Sequence, residues 1–169
     1  MGYSTDFIGE FGMTPTLKPE HRAYLWQFAN TRRVKRDPKL TEKRPDPIRL
    51  AACLPIGTEG AFFVGAAGAF GQESDALDIV DFNKPPVGQP GHWCQWTPND
   101  AGTAIEWDGG EKFYEYVPWL EYLIRIFLRP WGYRLNGEVV WIGGEPDDRG
   151  KIVVKENHIV VLHGTVVYK

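Results

Sequence analysis

The chain has 169 residues, 43% of them apolar and 24% charged, and carries a net charge of -3 at neutral pH. That is length enough for a real core without staples, and the balance excludes a strong overall pull toward nucleic acid or anionic membrane. Only two cysteines occur, Cys53 and Cys94, which fits two buried thiols in a reducing compartment. The first ten residues carry acids and lack the apolar core of a signal peptide. The longest apolar stretch, residues 113–128, is broken by Glu115, Glu121 and Arg125 and is too short to span a bilayer. The expectation is a cytoplasmic protein with no membrane partner.

Residues 3–11 read YSTDFIGEF. Tyr3, Thr5, Phe7 and Phe11, with Gly9 in phase, share one face, while Asp6, Ile8 and Glu10 take the other. That period of two predicts a half-buried strand. Two prolines make residues 13–19 a loop. A helix follows over 18–33, with Pro19 in its first turn and an apolar stripe of Leu17, Tyr24, Leu25 and Phe28; Pro38 stops it. Residues 34–56 form a proline-rich loop or arm. Between residues 31 and 50 stand eight Lys or Arg against three Asp or Glu, a local balance of about +5. Arg32, Arg33, Lys35 and Arg36 are therefore candidates for an acidic partner or a nucleic-acid backbone. The aromatic interleaving of a single-strand binder is missing.

The glycine-dense run 57–71, GTEGAFFVGAAGAFG, reads as a loop or hairpin around a short strand at 61–64. It lacks the closing Gly-Lys-Ser/Thr of a P-loop, and the Gly65, Gly68, Gly71 spacing opens no recognisable helix. A short strand at 78–83 and a rigid proline turn at 84–90 follow. Residues 91–97 and 103–107 form a hairpin across the PNDAG turn, with Trp93 and Trp107 as possible cross-strand neighbours. Asp108 and Glu111 resemble a capping box for a nearly all-apolar helix over 110–129, kinked near Tyr114 by Pro118 and stopped at Pro130 to Gly132. Three strands, 133–142, 150–155 and 158–168, close the chain as a meander. The order β-α-β-β-β-α-β-β-β predicts one α+β domain over 1–169, a single antiparallel sheet with two main helices. An exposed face on the second helix would imply a homodimer.

Two constellations could carry chemistry. Glu106, Asp108 and Glu111 surround the hairpin-to-helix turn, and Glu145, Asp147 and Asp148 fill a later one, with Asp6 and Glu10 on the first strand. Converged carboxylates bind a divalent cation or raise one another's pKa. Glu106, Asp108, Glu145 and Asp148 are then the catalytic set of a metal-dependent hydrolase, and Asp108, Asp147 and Asp148 the metal ligands. The alternative makes the same residues a cap and a solvated turn. The second constellation is aromatic: Trp93, Trp96, Trp107, Trp119 and Trp141 form either core or an exposed stacking platform. Ligand-binding candidates are thus Trp93, Trp96 and Trp107 with Arg32, Arg33 and Arg36. No histidine spacing suits zinc, since His158 and His163 face opposite ways on a strand. Neither Ser4 nor Ser74 sits in a nucleophile elbow, and Cys94 and His92 are too far apart on a strand for a dyad.

The segments MGYSTDF, EWDGGEK and LNGEVVWIGGEPDDRGKIVV resemble a family of small uncharacterised bacterial and bacteriophage proteins. The resemblance implies a phage or prophage accessory protein, with an anti-defence role in view, and carries over no catalytic residues. Together these readings favour a non-enzymatic binding or sequestering protein that takes a protein or small ligand. A metal-dependent hydrolase and a nucleic-acid binder are the alternatives.

Overall fold

The computed structural model describes residues 2–66 and 76–169. In chain order they form β1 (Thr5–Thr14), α1 (Pro19–Ala29), β2 (Lys35–Arg36), α2 (Pro38–Thr41), α3 (Pro47–Ala51), β3 (Ile79–Asp81), β4 (Trp96–Pro98), β5 (Ala104–Trp107), α4 (Tyr116–Leu123), α5 (Arg129–Trp131), β6 (Arg134–Gly143), β7 (Arg149–Lys155) and β8 (His158–His163). The fold is α+β. Its main sheet is antiparallel and six-stranded, in the order β4-β5-β1-β6-β7-β8, and β2 and β3 make a second, two-stranded sheet. Where the sequence suggests one domain, the chain divides into two compact units. One comprises residues 1–17 and 95–169, and the other is the segment 18–94 inserted between them.

The six-stranded unit is built on β1. Its full length pairs with β6, Phe7 opposite Trp141 and Phe11 opposite Gly137, while Phe11 also faces Ile105 of β5. Thr5, Phe7, Phe11 and Met13 are buried as the period of two requires. The same face receives Trp96, Ile105, Leu135, Val139, Trp141, Ile152 and Val154, all buried. Gly150 admits the Trp141 ring, because a Cβ there would strike it. Leu120, Leu123, Phe127 and Leu128 from the second main helix close this core. Burying such a set is the dominant favourable term in folding, at roughly 1.5–3 kcal/mol per large apolar side chain.

That helix departs from expectation at its start. Residues 110–115 are irregular, Glu115 is left-handed at φ 58°, and α4 begins at Tyr116. Pro118 explains the delay. In the first turn its missing N–H has no partner to lose, so the chain starts the helix there and needs no kink. The irregularity lies later, in a π turn over Ile124–Leu128 before α5. Gly132 then takes φ 88° and ends the helix, with Tyr133 N–H donating to Leu128 O at 2.8 Å. The helix buries Trp119, Leu120, Tyr122, Leu123, Ile124, Phe127 and Leu128, leaves Val117, Ile126 and Trp131 half-buried, and exposes Glu121 and Arg129. It therefore provides no exposed apolar face for a dimer.

The inserted unit packs α1 through Tyr24, Leu25, Phe28 and Ala29, and the helix stops at Asn30, earlier than Pro38 alone suggests. The segment 34–56 is not a loose arm. It carries β2, α2 and α3, each helix opened by a proline, and buries Arg36, Thr41, Asp46 and Arg49. The expected strand at 61–64 is instead a turn that buries Phe63 and Val64. Gly68 and Gly71 of the glycine-rich run, and Ser74 beyond it, lie outside the described residues. Cys53 is exposed and Cys94 buried, and neither is in a disulfide. No helix among the described residues is long and apolar enough to cross a membrane.

Candidate functional site

The two acidic turns do share one end of the main sheet. β5 ends there at Trp107, β6 at Gly143, and β1 begins there between them. Asp108 and Asp148 nevertheless have local tasks. Asp108 accepts the Gly110 N–H at 2.8 Å, closing a turn that does not cap a helix. Partial desolvation beside the turn pushes its carboxyl pKa up. Glu106 lies within β5 opposite Thr97. Asp148 accepts the Tyr3 hydroxyl at 2.5 Å and the Trp141 indole N–H at 2.9 Å, and the Glu145 N–H donates back to the Tyr3 oxygen. That bond to Asp148 raises the Tyr3 pKa. Asp148 is a clasp that ties β1's lead-in to the β6–β7 turn. Among the described residues no three His, Cys, Asp or Glu side chains are placed to hold a metal ion. Neither Asp108, Asp147 and Asp148 nor Glu106, Asp108, Glu145 and Asp148 make such a group.

The tryptophans divide. Trp96 is buried and meets Phe7, Phe11 and Phe113 edge-on at 5.3–5.6 Å. Trp107, not Trp93, occupies the cross-strand position: it pairs with Trp96, and its indole donates to Gln95 at 3.1 Å. Trp93 precedes β4 and belongs to the inserted unit. Such aromatic pairs add about 0.5–1.5 kcal/mol each beyond area burial. Trp96 and Trp107 are thus components of the core and its margin, not an open platform.

The basic residues have turned inward. Arg33 donates to Phe63 O at 2.8 Å, Ala61 O at 2.7 Å and Gln89 at 3.2 Å, with its guanidinium over the Phe28 ring. Arg36 meets Asp78 at 2.8 Å, Arg44 meets the same carboxylate at 3.1 Å, and both lie over the Phe63 ring. Burial alone would raise the Asp78 pKa, but hydrogen bonds and charge from Arg36, with Thr41 and Arg44, hold it below the ordinary carboxylate value. Arg32 donates to Phe82 O and stacks on its ring, and Lys35 bridges Glu59 at 3.3 Å. Arg33 and Arg36 cannot reach a phosphate without abandoning these bonds. A planar, weakly hydrated guanidinium suits this internal bracing.

Sequence reasoning missed the surface that remains. The main sheet is covered on the Phe7–Trp141 face, while its reverse carries Ile8, Val140, Ile142, Val160 and Leu162 exposed at 61%, 36%, 39%, 53% and 51%. They are contiguous: Ile8, Val140, Lys151 and Leu162 form one cross-strand row, flanked by the Asp6, Ile142, Arg149 row and by Val153 beside Val160. A shallow groove of about 400 Å³ runs there, lined by Val140, Ile142, Leu162 and the cations Arg149 and Lys151. The signal was in the sequence. VVWI, IVV and IVVL are unbroken apolar runs, not alternating ones, and such runs put aliphatic side chains on both faces. No family model, curated protein or solved structure matches this chain.

Proposed function

We propose that this chain is a binding protein and that the reverse face of its six-stranded sheet is the recognition surface. The observation that carries the reading is the row of aliphatic side chains on that face, larger than the scattered exposed residues a monomer normally shows. The groove over β6, β7 and β8 has an apolar floor and two cations, Arg149 and Lys151; Lys151 is paired with Glu138 at 3.0 Å, so Arg149 is the cation the groove offers a partner. Its complement is a protein segment presenting aliphatic side chains flanked by carboxylates, such as an acidic amphipathic helix. A sequestering role, and the phage or prophage setting implied by the resemblance, agree with this reading.

Titration with an acidic amphipathic peptide and with its lysine-substituted counterpart tests it. The acidic peptide should bind and weaken with salt, and Ile142→Lys combined with Arg149→Glu should reduce its affinity at least tenfold. Equal binding of both peptides, or affinity unchanged in the variant, rejects the proposal.

A further inference from the structure

The two edges of the main sheet differ in kind. β4 is three residues long and contains Pro98, features that blunt an edge. β8 runs six residues, HIVVLH, with no proline, no Asp, Glu, Lys or Arg, and an unbroken register against β7. The phase of its hydrogen bonds follows from one contact. Gly164 N–H donates to Arg149 O at 2.8 Å, and these two residues continue the β7–β8 register by one step. In an antiparallel pair, bonded positions recur every second residue. His158, Val160 and Leu162 therefore bond to β7, and the N–H and C=O groups of Ile159, Val161 and His163 point outward along an edge that no other strand among the described residues pairs.

We infer that β8 pairs antiparallel with β8 of a second copy about a two-fold axis centred on Val161, joining two sheets into one. A two-fold normal to the sheet preserves its faces, so only residues of equal parity meet. Centring on Val161 sets Val161 against its own copy and Ile159 against His163 of the other chain. Every outward main-chain group of those three residues is then bonded. The alternative centre, Val160, leaves His163 opposite the Glu156–Asn157 turn, where φ is positive, and bonds fewer groups. In the favoured register Val160 and Leu162 become cross-strand neighbours between copies, which shields two of the exposed aliphatics. The absence of formal charge along HIVVLH lets two identical edges meet without repulsion. The pairing uses the edge and does not rest on the partner proposed for the face.

Sedimentation velocity over a wide concentration range, with residue-resolved amide exchange, tests this inference. The 19.2 kDa chain should associate to about twice that mass. In the dimer the amides of Ile159, Val161 and His163 should become protected at least tenfold over their values on dilution, while those of Val160 and Leu162 are protected throughout. Val161→Pro removes only an outward N–H, leaves the bonds to β7 intact, and should give a folded monomer. His163→Pro, at the strand end, repeats the test at a more tolerant position. A monomer at every concentration overturns the inference. So does a dimer that survives both proline variants with those three amides still exchanging fast, which would place the contact on the sheet face or elsewhere.

Discussion

In the six-stranded unit the large buried side chains are apolar or aromatic, whereas the buried set of residues 18–94 includes Arg33, Arg36, Asp46, Arg49 and Asp78. The first unit gains from every apolar surface removed from water and depends little on any one polar group. The second has short helices and a two-stranded sheet, so less of its backbone is paired in ladders. Its arginines supply the missing order by donating to the carbonyls of Ala61 and Phe63 and to Asp78. Non-directional burial tolerates substitution gradually. A network of buried charges holds only while every member is present.

Removing a central ring from the first unit should have the largest effect. Phe127→Ala, at a fully buried position, should cost about 3–5 kcal/mol by chemical denaturation, from lost transfer and the cavity left behind. In the second unit Asp78→Ala should cost about 3 kcal/mol, because Arg36 keeps its charge without its carboxylate. The sharper test of the comparison is repair. Arg36→Met with Asp78→Leu should recover most of that loss, whereas no second polar change should rescue Phe127→Ala.

Acid separates the units next. The folded Asp78 pKa is depressed, so its contribution is fully present above the unfolded value, about 3.8–3.9. It is lost as pH falls through the lower folded value. Between neutral pH and that window its contribution should stay flat; below it stability should drop, and the repaired double variant should show a shallower slope. Smaller still, Asp148→Asn should cost about 1 kcal/mol as the Tyr3 and Trp141 bonds weaken, with a shift in tryptophan fluorescence. Asp108→Asn should change stability by less than about 0.5 kcal/mol. Its carboxyl pKa is raised by partial desolvation, so ionised Asp108 is a mild liability above that pKa and the amide relieves it. A large loss there would mean that Asp108 has a role beyond its turn.

The difference between the units also decides how much could be read from sequence. β1, the hairpin around residues 98–102 and the three-stranded meander announce themselves because their periodicity is local and their partners are near or strongly patterned. The helix start was misplaced because Asp108 and Glu111 imitate a capping box, while Pro118 ranks higher as a first-turn residue. Residues 34–56 look like a basic arm because sequence shows charge but not pairing: Asp78 stands 42 positions from Arg36, and no local pattern joins them. The acidic set was legible as two turns at one sheet end. What each carboxylate accepts, Tyr3 and Trp141 for Asp148, depends on register across β1 and β6 and could not be read locally.

The place of β1 has a consequence for biosynthesis. This strand leaves the ribosome before either neighbour, and β6, which pairs along its whole length, ends at Gly143. At about 5–20 residues per second the nascent strand waits on the order of ten seconds with both flanks open. During that interval Asp6 and Glu10, alternating with Phe7 and Phe11, act as gatekeepers that discourage premature strand association between neighbouring nascent chains.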